Sequence, residues 1–423
     1  VAGRNDKELR LAAETIDILS IPFPESPDMQ ISAFSMPEIS LYSGKQMLTT
    51  DRQYKFKKLN FTTRSFRGIN AAPSSFEFRV PTDFKVKPNQ YVTLKLDFSY
   101  ASSLRKDSSL SILLNGDHVG SIHLDNEKGA LITGYEVKFP THLFQGGINV
   151  LAFDVTLTPS ITEHCSFIQA ENLFLTLFDS SSLLFPSMPH RVEMPNLELL
   201  FVNGFPYTRW PDGYKSRIYL GENNRINATA ALNLVGMITQ KNGFPLFGIE
   251  LSDQIPENYD GEILALGKVK DIDPRLLNNA PLVLGEINRV PYPAFESWEA
   301  RKALAFSSQK SEMGLDQGMI TQFESPYKQG RTVTLFTAPS DSGMQHLTQA
   351  ILAHQIQSVA RGDLVLIDYV FNENLFERFG DGKDYRVTAL SAGKTYMTGK
   401  GGEISMLDYY LSSYPWIYWL ALG

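Results

Sequence analysis

The sequence predicts a mixed architecture: a β-sandwich or jelly-roll domain, then an α/β domain of flavodoxin-like type, then a C-terminal membrane-proximal helix. Three observations carry this. Residues 51–180 hold many short apolar alternations broken by turn residues, with no helical stretch between them. Beyond residue 220, helical periodicity alternates with continuous apolar runs, as expected for a sheet covered by helices. Residues 404–423 are dense in Tyr and Trp, the side chains that favour a membrane–water interface.

The bulk numbers agree with a folded, multi-domain chain. At 423 residues it is too long for one ordinary core. Hydrophobic residues at 43% and charged residues at 20% are a normal globular balance. A net charge of −7 weighs against a general nucleic-acid binder, so no nucleic acid is expected as a partner. The single cysteine, Cys165, excludes an internal disulfide and any cysteine-based metal centre.

In chain order, VAGRNDKELRLAAETIDIL places Asp6 as an N-cap ahead of a stripe of Leu9, Leu11, Ala12, Ile16 and Leu19. A lone amphipathic helix is marginal in water, so residues 1–24 read as the last helix of a preceding α/β domain. Residues 25–50, with Pro27 and Pro37, read as an extended linker. In the β domain (51–184), FEFRV, YVTLKLDFSY, SLSILLNG, GINVLAFDV and NLFLTLF read as strands. Asn115-Gly116 and Gly146-Gly147 mark the tight turns. In the α/β domain (185–400), INATAALNLVGMITQKNG reads as a helix stopped by Gly243. A second helix runs from a cap at Ser340 or Asp341 to Gly362, among the strands FPLFGIEL, EILALG, PLVLGE, TVTLFTA, DLVLIDYV and DYRVTAL. Residues 401–423 begin a membrane anchor, with Tyr409, Tyr410, Tyr414, Trp416, Tyr418 and Trp419 at the interface.

Chemistry is sparse. No Walker-type or dinucleotide glycine motif is present, and no cofactor is expected. There is no G-x-S-x-G elbow and no H-E-x-x-H, and the seven histidines do not cluster at ligand spacing. Scattered Asp and Glu read as solvated surface, so neither a catalytic nor a metal residue is assigned. Aromatic rings that stack on sugar faces are the remaining candidates: Tyr91, Tyr100 and Tyr135 in the β domain, and Trp210 beyond it. For each tyrosine, half-buried strand packing weighs more than glycan contact.

One stretch is more specific. ENLFLTLFDSSSLLF (171–185) runs into MPNLELLFVNGFPYTRWPD (194–212). The second string resembles the junction between the second carbohydrate-binding-like domain and the second α/β domain in the family of bacterial cellulose synthase periplasmic subunits. FKKLNFTTRSFRG, SSLSILLNGDHVGSIHL and FQGGINVLAFDVTLTP are similar to the family's jelly-roll strands, and VAGRNDKELRLAAETI to the end of its first α/β domain. The resemblance implies a non-catalytic periplasmic protein, held by one C-terminal helix at the periplasmic face of the inner membrane. It would support the membrane-embedded cellulose synthase catalytic subunit, lie beside the nascent β-1,4-glucan, and leave room for self-association. It also implies a complex activated by cyclic di-GMP, yet the nearest arginine cluster, Arg64 with Arg67, is too thin to mark a site for it.

Within the junction, Pro195 and Pro206 restrict the backbone, Gly204 permits a bend, and Phe205, Tyr207 and Trp210 are expected to wedge two domains together. Asn196 belongs to the same motif, and Arg209 and Asp212 are expected to pair across the wedge. The competing reading is a secreted polysaccharide hydrolase with an attached carbohydrate-binding module. It requires a carboxyl pair in a cleft. A third, an adhesion protein, would not need the aromatic tail.

Overall fold

The structure is a computed structural model. It describes residues 1–18, 28–31, 38–49, 52–86, 90–102, 104–160, 172–281, 317–352, 354–371, 373–379, 383–399, 402–403, 414 and 416. Cys165, the run PLVLGE beyond Pro281, and Tyr409, Tyr410, Tyr418 and Trp419 lie outside these residues. The chain divides into one unit over Gln46–His190 and another over Val1–Lys45 with Arg191–Ser412.

The first unit is all β. Its strands are β1 (Gln53–Lys55), β2 (Arg64–Arg67), β3 (Ser74–Val80), β4 (Tyr91–Tyr100), β5 (Ser109–Leu114), β6 (Asp117–His123), β7 (Ala130–Pro140), β8 (Gly147–Thr156), β9 (Phe174–Leu177) and β10 (Ser182–Leu184). They form a six-stranded sheet, β1-β10-β4-β9-β2 with β7 on β4, and a four-stranded sheet, β3-β8-β5-β6. Both are antiparallel throughout.

The period-2 pattern does what it predicts. Val92, Leu94, Leu96, Phe98 and Tyr100 of β4 are buried in strict alternation. One apolar core joins residues of both sheets. Its centre is a group of rings, Phe56, Phe61, Phe76 and Phe153, with centroids 4.8–6.5 Å apart. Burying each ring contributes about 3 kcal/mol. The β5–β6 turn has φ of 54° at Asn115 and 91° at Gly116, the left-handed pair that a two-residue hairpin needs. Asn149 anchors this end: its Oδ1 accepts from Asn115 Nδ2 (3.0 Å) and Gln145 N (2.9 Å).

The second unit contains α1 (Asp6–Ile18), β11 (Arg191–Met194), α2 (Leu197–Asn203), β12 (Ser216–Leu220), α3 (Arg225–Asn242), β13 (Glu250–Ser252), β14 (Glu262–Leu266), β15 (Gln317–Glu324) and β16 (Thr332–Thr337). It continues with α4 (Asp341–Ala350), α5 (His354–Val359), β17 (Leu364–Phe371), α6 (Glu373–Phe379), β18 (Lys383–Leu390), β19 (Tyr396–Gly399) and β20 (Gly402–Glu403). Seven strands form one sheet in the order β13-β12-β14-β16-β15-β17-β18, and β11-β19-β20 form a small one. β13, β12, β14 and β16 run parallel; β15, β17 and β18 pair antiparallel, so the large sheet is mixed. Ile218, Leu220, Leu264 and Leu266 pack in one core with residues of α3 and α4, while Tyr219, Ile263 and Ala265 pack in another. Both faces are covered, which is why these strands read as continuous apolar runs.

α3 ends as expected, at Gly243 with φ 70°. Two local expectations are corrected. Asp6 does not cap α1; Asn5 does, its Oδ1 accepting from Glu8 N at 2.9 Å. The segment 341–361 is not one helix but two, interrupted at Ile351–Leu352. Ile351 and Ile356 are both fully buried; five residues apart, they would point about 140° apart on one continuous helix, and the break lets both reach the core. Strands β12 and β15 were not anticipated at all.

Candidate functional site

The junction motif folds inside the second unit. Asn196 caps α2, its side chain accepting from Glu198 N at 3.1 Å, and its own N–H donates to Gln322 Oε1 at 2.5 Å. Gly204 closes α2 with φ 79°; a Cβ there would strike Ile238 and Thr208, so both conformation and space demand glycine. The bonds before Pro195 and Pro206 are cis. Phe205 and Tyr207 are buried, and the Tyr207 hydroxyl hydrogen-bonds the Ile263 carbonyl (2.9 Å) and Thr334 Oγ1 (2.8 Å). Burial pushes that hydroxyl well above its usual pKa.

The expected Arg209–Asp212 pair does not form. Arg209 lies 4.8 Å from the Phe205 ring centroid, donates Nη1 to Glu262 Oε1 at 3.0 Å and Nη2 to Thr398 Oγ1 at 2.8 Å. Asp212 turns to its own loop and accepts from Tyr214 N at 3.0 Å. Glu262 opens β14, and Arg331 and Thr332 lie at the head of β16. Arg331 Nη1 reaches Glu262 Oε1 at 3.3 Å, Thr332 N donates to Glu262 Oε2 at 2.6 Å, and Arg331 Nε donates to Asp260 at 2.9 Å. Lys215, before β12, is 3.4 Å from Asp260. Burial works to raise the Asp260 carboxyl, but Arg331 and Lys215 outweigh it and hold it below the usual range. Tyr396, hydrogen-bonded to Thr332 Oγ1 at 2.7 Å, is raised by burial.

These groups surround a cavity of about 90 Å³ lined by Arg209, Trp210, Tyr214, Lys215, Glu262 and Arg331, among others. Trp210 and Tyr214 meet edge to face at 5.1 Å. The cavity lies at the amino ends of β12, β14 and β16. In open α/β sheets ligands bind beyond the carboxyl ends instead. There, Lys268 Nζ is held by Asp341 (2.7 Å), Glu222 (3.3 Å) and Asp271 (3.5 Å). Its hydrogen bond to Asp341 leads in raising its pKa, against burial and with Glu222 helping. Three carboxylates around one ammonium repel a phosphate.

The other candidate residues are scattered. Tyr91 and Tyr135 are 47% and 41% exposed, Tyr135 with its ring edge-on to Phe98. Tyr100 is 5% exposed in the core and offers no face to a sugar. Arg64 and Arg67 sit three apart on β2 and therefore face opposite ways. Tyr414 and Trp416 are exposed, with centroids 6.4 Å apart. No helix among the described residues is long and apolar enough to cross a membrane, and none of their His, Cys, Asp and Glu form a group that could hold a metal ion. Sequence reasoning missed Asp260, Glu262, Arg331 and Lys215. Their only signal was a charge at the head of an apolar run, in GEILALG and GRTVTLF.

Comparison with known proteins gives this geometry a family. Residues 53–182 match the family described as "Cellulose synthase BcsB, second CBM domain", and residues 190–336 match "Cellulose synthase BcsB, second FD domain". The chain belongs to the cellulose synthase BcsB family. The two BcsB matches follow one another in the order that the strings around the junction motif imply. Among curated relatives identity is low: 24% over 98% of this chain to a "Cyclic di-GMP-binding protein" of Salmonella typhi, and 23% over 98% to that of Escherichia coli (strain K12). A "Cellulose synthase 1" of Komagataeibacter xylinus is 24% identical over 86% of this chain and 26% of its own length. The chain spans 56% and 55% of the length of the first two.

Proposed function

We propose that the chain is the C-terminal part of a non-catalytic subunit of a bacterial cellulose synthase complex, working at the periplasmic face of the inner membrane. It supports the membrane-embedded catalytic subunit and lies beside the extruded β-1,4-glucan, in a complex activated by cyclic di-GMP. Residues 51–184 serve as the carbohydrate-binding-like domain. Residues 185–400 serve as the α/β domain, flavodoxin-like in its parallel part, where β13, β12 and β14 take the order 2-1-3. The junction motif leads from the first of these domains into the second, and the aromatic tail anchors the chain. The observation that carries this reading is the adjacent pair of family matches, second CBM and second FD, in one chain.

A non-catalytic role also fits the chemistry of the cavity. Glu262 is tied to two guanidinium groups and a backbone N–H, and Asp260 is held below the usual carboxylate range. A glycosidase acid needs a carboxyl raised towards neutrality, so the hydrolase reading is not favoured. A cavity of about 90 Å³ with both arginines committed to carboxylates is too small and too occupied for a cyclic dinucleotide.

The test is co-purification from detergent-solubilised membranes, with an assay for incorporation of UDP-glucose into β-glucan. Synthase activity is expected to accompany the full chain and to be lost from a version ending before Ile404. Recovery of the full chain without synthase overturns the proposal.

A further inference from the structure

The six-stranded sheet of the β unit has one edge of a single sign. β7 covers one side of β4 along its length, and β10 and β9 share the other side. β1 and β2 pair outside those two, so the stretch from β1 to β2 forms the opposite edge. Residues 52–67 of that stretch hold six cations, Arg52, Lys55, Lys57, Lys58, Arg64 and Arg67, and no carboxylate. All six are exposed, and none forms an ion pair among the described residues. Asp179 brings one carboxylate alongside: its carbonyl accepts from Lys57 N at 3.1 Å and its N–H donates to Thr63 Oγ1 at 3.2 Å. Lysines on a sheet edge also deter pairing with another chain. That purpose does not require a single sign, since β7, the longer edge of the same sheet, carries Lys138 together with Glu136. On a chain of net charge −7, six unpaired cations along one edge point to an anionic partner.

We infer that this edge docks on an anionic lipid surface. Between Gln53 and Arg67 it follows β4 and the residue beyond it for about eight residues, about 25 Å at ~3.3 Å per residue. Arg64 and Arg67 stand on opposite faces of β2, and Lys57 and Lys58 on the 3-10 turn Phe56–Leu59 between the strands. The cations therefore diverge. A single phosphate or a cyclic dinucleotide needs convergent donors, whereas a layer of headgroups meets every long side chain that reaches its plane. Phe56, Leu59, Phe61 and Phe66, between the cations, are buried in the core. The edge thus presents charge and no apolar wedge, and the contact is one of surface attraction without insertion. The compact unit that carries this edge also takes in Ser413–Gly423, where Tyr414 and Trp416 expose rings of the kind that favour a membrane interface. That the bilayer is the inner membrane rests on the proposed function; that the edge takes anionic headgroups does not.

The test is co-sedimentation of the full chain with vesicles of phosphatidylcholine alone and of phosphatidylcholine with about one quarter phosphatidylglycerol, with polyphosphate as a soluble probe. At about 0.1 M salt the anionic vesicles are expected to bind about a hundredfold more tightly than the neutral ones, and at about 0.5 M salt most of that excess is lost. Each cation at an anionic surface is worth about fivefold, so Lys57→Gln with Lys58→Gln is expected to weaken anionic binding about 25-fold. Arg64→Gln with Arg67→Gln is a second pair with the same expected effect. Lys106→Gln with Lys128→Gln removes the same charge from exposed positions elsewhere on the unit and is expected to change binding by less than about twofold. Both edge pairs are expected to keep the parent's sedimentation coefficient. Equal binding to the two vesicles, insensitivity to both edge pairs, or an equal loss from the Lys106 and Lys128 pair overturns the inference. Self-association of the edge pairs with vesicle binding retained assigns the cations to edge protection and overturns it as well. Retention of polyphosphate without binding to anionic vesicles moves the site to a soluble polyanion and overturns the lipid assignment. Loss of co-purification with charge-dependent vesicle binding intact overturns the proposed function alone.

Discussion

The β unit and the α/β unit bury different things. At the centre of the β unit lie phenyl rings, and the polar side chains buried around them are mostly short and uncharged, such as Ser108, Asn149, Ser181 and Ser182. Asp83, paired with His190 at 2.9 Å, is the charged exception among the described residues. The α/β unit instead buries Arg209, Glu262 and Arg331 as one cluster at the edge of its sheet. Two antiparallel sheets joined by hairpins satisfy their own backbone and can meet through apolar faces alone. The parallel strands of the mixed sheet all begin at one edge, and there the carboxylate of Glu262 takes up the N–H of Thr332 while the arginines neutralise it. One unit resists unfolding through area and shape, the other partly through a charge arrangement that stands or falls together.

Removing the central ring tests the first half of that contrast. Phe153→Ala is expected to cost the β unit about 4 kcal/mol through lost transfer and a residual cavity. Amide hydrogen exchange in β5 and β8, followed through urea, measures it; a loss below about 1 kcal/mol would mean that the ring group is not the centre of stability. Next in size, Glu262→Gln leaves Arg209 without its counter-charge and Arg331 with Asp260 alone, and is expected to cost about 3 kcal/mol. The loss belongs in exchange rates of β14 and β16, with those of β8 unaltered, and 1 M salt should rescue little of it because buried charges are poorly screened.

The smallest effect sharpens the comparison by pH. The folded Asp260 carboxyl lies below its unfolded value, so it contributes stability at neutral pH that is lost as pH falls through the folded value, below about 3.9. Its side chain is 46% exposed, and solvent screening keeps this contribution under about 1 kcal/mol. Asp260→Asn should therefore unfold more easily at pH 7, with the gap to the parent closing towards pH 2 in urea titrations. An equal gap at both pH values would assign the effect to packing.

The sequence by itself determined the elements whose signal is local. Period-2 runs placed β4, β5 and β8, left-handed turn residues placed the Asn115-Gly116 hairpin, and Gly243 ended α3, because burial on one face and backbone φ depend on a residue and its near neighbours. It also carried the family, through strings around the junction motif. The tertiary structure decided the partners. Asp212, three residues away, was the expected mate of Arg209, but strand order brought Glu262 to it from 53 residues away and Arg331 to the same carboxylate from 69. It likewise sank Tyr100 in the core, set Arg64 and Arg67 on opposite faces, and broke the helix after Ala350 so that Ile351 and Ile356 are both buried. A charge needs a counter-charge within a few ångströms, and which one arrives is fixed by how the sheet is threaded, a property that no local window of sequence contains.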